Sequence, residues 1–188
     1  MMKNSNLNIS RRNALQIAAT LPIILNSNQA NAGDRPNSYS EIGKKCPKFS
    51  LKKNGGGSFS NANLKGKTTI IEFFGLWCPD CMLDAPNVAQ FAAIANATKG
   101  MQFIGIHTHG RYGRWGSLDK FFEEKKYKYP VAIDDDKTAY NAFKIAWVPS
   151  FLIIDNKGII RDFTTDLGAG GIGVDGLLKR AIAVSKMK

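Results

Sequence analysis

Apolar residues come in short blocks separated by polar, glycine-bearing turns, and the blocks alternate between strand-like and helix-like spacing. Thr68-Thr69-Ile70-Ile71-Glu72-Phe73-Phe74 is a nearly continuous apolar run of strand length, as a strand covered on both faces requires. A helical pattern follows from near Pro79 to about Ala97, with Met82, Ala85, Ala89, Phe91, Ala92 and Ala95 available for packing. Met101 to His107 alternates as a strand, and Ser117 is placed to cap a helix through Lys125 with Asp119 in its first turn. Val131-Ala132-Ile133 is a short strand, followed by Asp134-Asp135-Asp136 and a helix through Phe143. Ser150 to Asp155 and Ile159 to Phe163 flank Asn156-Lys157-Gly158, which predicts a hairpin. A terminal helix is expected from about Val174 to Ser185. Upstream, Lys52 to Asn63 contains Gly55-Gly56-Gly57 and reads as a loop or hairpin between short strands. The order β-α-β-α-β-α-β-β-α predicts an α/β fold. Its central mixed β-sheet would be flanked by helices on both faces, with right-handed crossovers between parallel strands.

The first 32 residues stand apart from this pattern. Lys3, Arg11 and Arg12 precede an apolar run from Ala14 to Leu25, and Ala30-Asn31-Ala32 is an A-x-A cleavage signal. Residues 1–32 therefore read as a signal peptide, with a mature chain expected to start at Gly33. The run is too short for a bilayer span, which needs roughly 20 residues, so no stable span is expected after cleavage. Ser10-Arg11-Arg12-Asn13-Ala14-Leu15 also resembles a twin-arginine signal. Either export route places the protein outside the cytoplasmic membrane, in the periplasm or beyond. Residues 33–41, polar and containing Pro36, are expected to be a flexible lead-in, and residues 42–188 a single domain.

The net charge is +11, of which the signal supplies three charges. That balance favours encounter with acidic proteins or anionic surfaces. No basic helix with interleaved aromatics is present, so nucleic acid is not an expected partner. With three cysteines in the chain, this is no disulfide scaffold.

Two of those cysteines carry the chemistry. Trp77-Cys78-Pro79-Asp80-Cys81 joins the first strand to the first helix. Cys78 then falls at a helix N-terminus, where unpaired N–H groups and the helix dipole favour a thiolate, and Cys81 lies one turn later on the same face. The pair reads as a reversible disulfide needing no other cofactor, with Cys78 the exposed attacking thiol and Cys81 the resolving one. In an oxidising compartment such a pair requires a reducing partner. Pro79 costs no backbone bond at the first helical turn and stiffens it. Asp80 places a negative charge near both sulfurs, which should raise the pKa of Cys78 and favour a reductant over a strong oxidant. Trp77 and Trp147 are expected to cover the two sides of the site.

Several spaced residues carry a resemblance. Glu72 lies six before Cys78, Pro86 five after Cys81, and Pro149 sits within Trp147-Val148-Pro149-Ser150-Phe151. With Ile42-Gly43-Lys44-Lys45-Cys46-Pro47-Lys48-Phe49-Ser50-Leu51 and Leu64-Lys65-Gly66-Lys67, the chain resembles the thioredoxin-like superfamily, and within it the exported thiol-disulfide oxidoreductases of bacterial envelopes (TlpA/ResA-like). Gly105-Ile106-His107-Thr108, Tyr129 to Asp134 and Ala139 to Phe143 are similar to thioredoxin-like modules attached to membrane electron carriers. The resemblance implies a thioredoxin-like fold with an N-terminal extension and one inserted βα element. It also implies a buried Glu72 that relays the proton of Cys81, a cis Pro149 facing the disulfide, and a kinking Pro86. Its partners would be client proteins bearing cysteines or disulfides, with a membrane thiol electron carrier as reductant. The chain departs from the exported reductases at Asp84, where many have Glu, and at Glu72, where they tend to have Asn.

Other readings stay open beside this one. The same chemistry run backwards makes an oxidase or isomerase. A copper metallochaperone would use Cys78 and Cys81 with His107 or His109, and a third possibility is a docking domain with an idle disulfide. Tetrahedral zinc needs four ligands, and no second CxxC or spaced His pair completes that set. Cys46 reads as a small buried residue beside Pro47. Asp134-Asp135-Asp136 reads as a turn and helix cap, and Asp84 as part of a solvated helix face. Gly168-Ala169-Gly170-Gly171-Ile172-Gly173 matches G-x-G-x-x-G but lies too near the C-terminus for a dinucleotide fold, so it reads as a loop.

Overall fold

A computed structural model of the chain describes residues 35–168 and 170–187. The expected signal peptide and its cleavage position lie outside the described residues. Seven strands form one mixed sheet. They are β1 (Ser50–Lys53), β2 (Ser58–Ser60), β3 (Thr68–Phe74), β4 (Met101–Thr108), β5 (Val131–Asp134), β6 (Ser150–Ile154) and β7 (Ile160–Thr165). Their order across the sheet is β2-β1-β5-β4-β3-β6-β7. Strands β3, β4 and β5 are parallel neighbours, while β6 runs antiparallel to β3 and β1 antiparallel to β5. Helices α1 (Pro79–Ala97), α2 (Leu118–Lys125), α3 (Thr138–Ala142) and α4 (Gly173–Ser185) complete the order read from the sequence.

Both faces of β3 are covered, and every one of its residues is buried. Strand alternation puts Ile70, Glu72 and Phe74 on one face and Ile71 and Phe73 on the other. Ile70 is in register with Phe103, whose ring meets Phe91 of α1 at 5.8 Å, so Glu72 shares the face that carries α1. On the opposite face Phe73 packs against Phe143, which follows α3, at 5.4 Å. Gly105, the register partner of Glu72, leaves room there: a Cβ at that position would stand 2.9 Å from the Phe74 ring.

The local signals behave as expected. The Ser117 hydroxyl accepts the Lys120 N–H at 3.2 Å and caps α2. Asp134 accepts the N–H groups of Ala139 and Tyr140 at 2.8 Å each, and Asp136 that of Thr138 at 3.1 Å, so two of the three aspartates anchor α3. Asp155 closes the β6–β7 turn by accepting from Lys157 and Ile159. Among the described residues no helix is long and apolar enough to cross a membrane.

The lead-in makes defined contacts, and one expectation, that for Asp84, needs correction. From Arg35 onward the lead-in is docked against the domain. The Tyr39 ring stacks on Phe163 at 5.0 Å and its hydroxyl donates to the Phe143 carbonyl, because one aromatic side chain outweighs the polarity of its neighbours. Asp84 is buried at 3% exposure and does not belong to a solvated helix face. Its two carboxylate oxygens accept the N–H groups of Leu167 and Gly168 at 2.6 Å each, which offsets the cost of burial.

Candidate active site

The redox motif sits where β3 ends and α1 begins. Cys78 is the N-cap residue of α1 in extended conformation, and Pro79 opens the helix without forfeiting a hydrogen bond. The Cys81 N–H reaches back to Cys78 Sγ at 3.4 Å, and the Cys78 thiol donates to the Val148 carbonyl at 3.4 Å. The Val148–Pro149 bond is cis, so the strand β6 that pairs with Glu72 and Phe73 begins directly across from the first cysteine. All three cysteines are free thiols.

Cys78 is less open than its position on a helix start suggests. It is 6% exposed, because Trp77 folds back over Gly75 and the Trp147-Val148-Pro149 segment closes the other side. Its accessible edge opens into a groove of about 240 Å³ lined by Trp77, Asp80, His109, Tyr140, Trp147 and Val148. The Trp77 indole N–H donates to the Thr108 carbonyl at 3.3 Å, and the Arg111 guanidinium lies 4.5 Å above its ring. The two tryptophans therefore flank the sulfur. His109, a candidate companion of the cysteines in the sequence, does border the groove, whereas Tyr140 was not legible as a groove residue, since it comes from α3 and reaches the site only in the folded chain.

Electrostatics separate the two thiols. The hydrogen bond from the Cys81 thiol brings Cys78 down to about 7; burial and the Asp80 carboxylate oppose the shift, and the N–H groups of Cys81 and Asp80 assist it. The expected effect of Asp80 has the right sign but is outweighed. Cys81, 1% exposed, moves well upward through burial and through its bond to Cys78. Cys46 is buried away from this pair, its thiol pushed up to about 12 by burial and by Asp155.

Glu72 lies on the α1 face of β3 with its Oε2 buried and without a hydrogen-bond partner. Burial, with contributions from Asp84 and Cys78, moves its carboxyl well above the usual range. Cys81 in turn feels the Glu72 charge. Pro86 sits inside α1.

The two histidines part company. His109, held at a left-handed φ of 71°, packs edge-on against Trp77 and Tyr140 beside the groove. His107 is fully buried on β4, stacked on Tyr112 at 4.6 Å with neither ring nitrogen hydrogen-bonded. Burial lowers it to about 4 despite Asp135 at 3.8 Å. Among the described residues, no three His, Cys, Asp or Glu side chains converge as a metal site would need. In the glycine-rich segment, Gly171 N–H bonds to the Gly168 carbonyl and Gly173 N–H to that of Leu167, closing a loop ahead of α4.

Comparisons with known proteins agree with this architecture. The soluble secreted antigen MPT53 of Mycobacterium tuberculosis is 28% identical over 103 residues, covering 55% of this chain and 56% of that one. The thiol-disulfide oxidoreductase ResA of Geobacillus kaustophilus is 24% identical over 124 residues, covering 66% and 69%. The chain thus spans little more than half the length of the mycobacterial antigen. Among solved structures, a secreted M. tuberculosis disulfide oxidoreductase homologous to E. coli DsbE superposes with a TM-score of 0.59 at 27% identity, over 72% of this chain and 95% of that one. A Chlorobium tepidum thioredoxin family protein, named a thiol:disulfide interchange protein, gives 0.60 at 25% identity over 74% and 94%. The AhpC/TSA family model matches residues 42–163, a stretch that holds the Cys78–Cys81 motif, Glu72 and the cis Pro149, and the chain belongs to that thioredoxin-like family.

Proposed function

We propose that this protein is an exported thiol-disulfide oxidoreductase that works as a reductase on cysteines of other exported proteins. The observation that carries the reading is the division of labour between two thiols one helical turn apart. Cys78, near 7, borders an open groove, while Cys81 is buried behind it and held protonated. The Cys78 thiolate attacks one sulfur of a client disulfide, forming a mixed disulfide and releasing a client thiolate that takes up a proton. In its ionised form Glu72 takes the proton of Cys81, which attacks Cys78 Sγ, closing the Cys78–Cys81 disulfide and releasing the second client sulfur as a thiolate that Glu72 reprotonates. Two electrons and two protons pass to the client. A dithiol carrier in the membrane would restore the pair by the reverse exchange. In this reading Trp77, Pro79 and Pro149 shape the site, and the extended backbone before Ser150 offers an edge to a client peptide.

The acidity of Cys78 supports this direction. Strong oxidants hold their first thiol near 3.5 and thioredoxin holds its own near 7, the value at Cys78. The named relatives that are secreted support an extracytoplasmic setting. The test is the reduction potential of the full chain in thiol buffers. A value near or below about −270 mV supports the reductase, and one between about −120 and −180 mV makes it an oxidase or isomerase. Trapping of mixed disulfides by Cys81→Ala identifies clients. A protein that trapped none would not be a redox enzyme of this kind.

A further inference from the structure

Arg35, just past the expected cleavage position, joins two acidic side chains beside the redox helix. Its Nη2 is 3.3 Å from Asp80 Oδ2 and its Nη1 2.9 Å from Asp166 Oδ2. Asp80 stands between the two cysteines. Asp166 ends β7 at a left-handed φ of 48° and is nearly buried. The residues after it are held from the other side by Asp84, through the N–H groups of Leu167 and Gly168. Arg35, Asp80, Asp84 and Asp166 border one cavity of about 270 Å³. Three carboxylates thus crowd the first two turns of α1. Among the described residues Arg35 is the one cation ion-paired to a carboxylate of that helix.

The geometry points to a positioning role for Arg35: its guanidinium holds Asp80 and Asp166 together and screens the Cys78 sulfur from the Asp80 carboxylate. A carboxylate beside a thiol disfavours the thiolate, and without Arg35 the hydrogen bonds from Cys81 and the N–H groups at the start of α1 must overcome it unaided. A planar guanidinium can bind two carboxylates at once, which a lysine ammonium does less well. The other groups around Cys78 do not replace it. Cys81 is a hydrogen-bond donor, Glu72 is buried and acidic, burial with Lys137 and Arg111 lowers the pKa of His109, and Arg111 is engaged over the Trp77 ring. The lead-in thereby joins the redox site.

This inference rests on Cys78 being the attacking thiol, but its test reads the thiol directly and needs no client, so the two readings fail separately. The thiolate of Cys78 is titrated by ultraviolet absorbance and by alkylation rate in the full chain, in Arg35→Gln, Asp80→Asn and the double variant. Arg35→Gln should raise the midpoint, leaving roughly two- to fivefold less thiolate on its acid side, the size expected of a solvent-screened pair. Arg35→Lys keeps the charge, serves as the control for folding, and should recover part of the shift. In the Asp80→Asn background the Arg35→Gln effect should vanish. No shift on Arg35→Gln, a Lys variant as perturbed as the Gln variant, or an undiminished shift without Asp80 would each overturn the proposal.

Discussion

Cys78 Sγ lies 3.4 Å from the Val148 carbonyl oxygen, a contact that joins the start of α1 to the cis-proline segment across 70 positions of chain. It places the more acidic thiol at the rim of the groove and leaves Cys81 behind it, 1% exposed. Alkylation of the reduced chain near neutral pH should therefore modify Cys78 first, with a pH profile centred near 7. Cys81 and Cys46 should stay protected until the protein unfolds. Mass mapping of the labelled cysteines checks this, and early labelling of Cys81 would contradict the assignment of roles.

Glu72 links function to stability in opposite senses. Glu72→Leu removes a buried carboxyl with an unpaired oxygen and should stabilise the fold by about 1–3 kcal/mol. The same change should slow closure of the Cys78–Cys81 disulfide on the order of 10²-fold, the loss of a positioned proton acceptor. The folded-state pKa of Glu72 lies above its unfolded value, so its stabilising contribution is full below the unfolded value near 4.3 and is lost as pH rises toward the folded one. Denaturant melts across pH should show that decline in the wild type and not in Glu72→Leu.

His107 acts at the other end of the pH scale. Its folded value of about 4 lies below the ordinary value near 6.5, so the unfolded chain binds the proton more tightly between them. Stability should be present above pH 6.5 and fall as pH drops toward 4, by up to about 3 kcal/mol. His107→Phe, with its ring free to stack on Tyr112, should flatten that part of the pH profile. An unchanged profile in the variant would assign the acid sensitivity to another group.

Removing the buried Asp84 should be costly. Asp84→Ala leaves the N–H groups of Leu167 and Gly168 without their acceptor, a loss of about 2–4 kcal/mol by equilibrium unfolding. Asp84→Asn, keeping one oxygen, should lose about half of that.

Much of this was readable one residue after another. The period of each apolar block, Ser117 as a cap, the Asn156-Lys157-Gly158 turn and the placement of Cys78 before a Pro-initiated helix depend on neighbours within a few positions, and the folded elements follow them. The spacing of Glu72, Cys78, Cys81 and Pro149 was legible as a resemblance, and the pairing of β6 with β3 brings the cis proline beside the strand that carries Glu72. Asp84, Arg35, Tyr39 and Tyr140 were not legible in the same way. An aspartate reads as solvated until distant amides arrive to satisfy it, and an arginine in a polar lead-in has no visible partner until β7 ends beside α1. The sign of the Asp80 effect could be read from its position, but its size could not. Hydrogen bonds from Cys81 and burial compete with it over a few ångströms, so the acidity of Cys78 is decided by the tertiary structure. Local spacing determined which two thiols stand one helical turn apart; long-range packing decided how readily each gives up its proton.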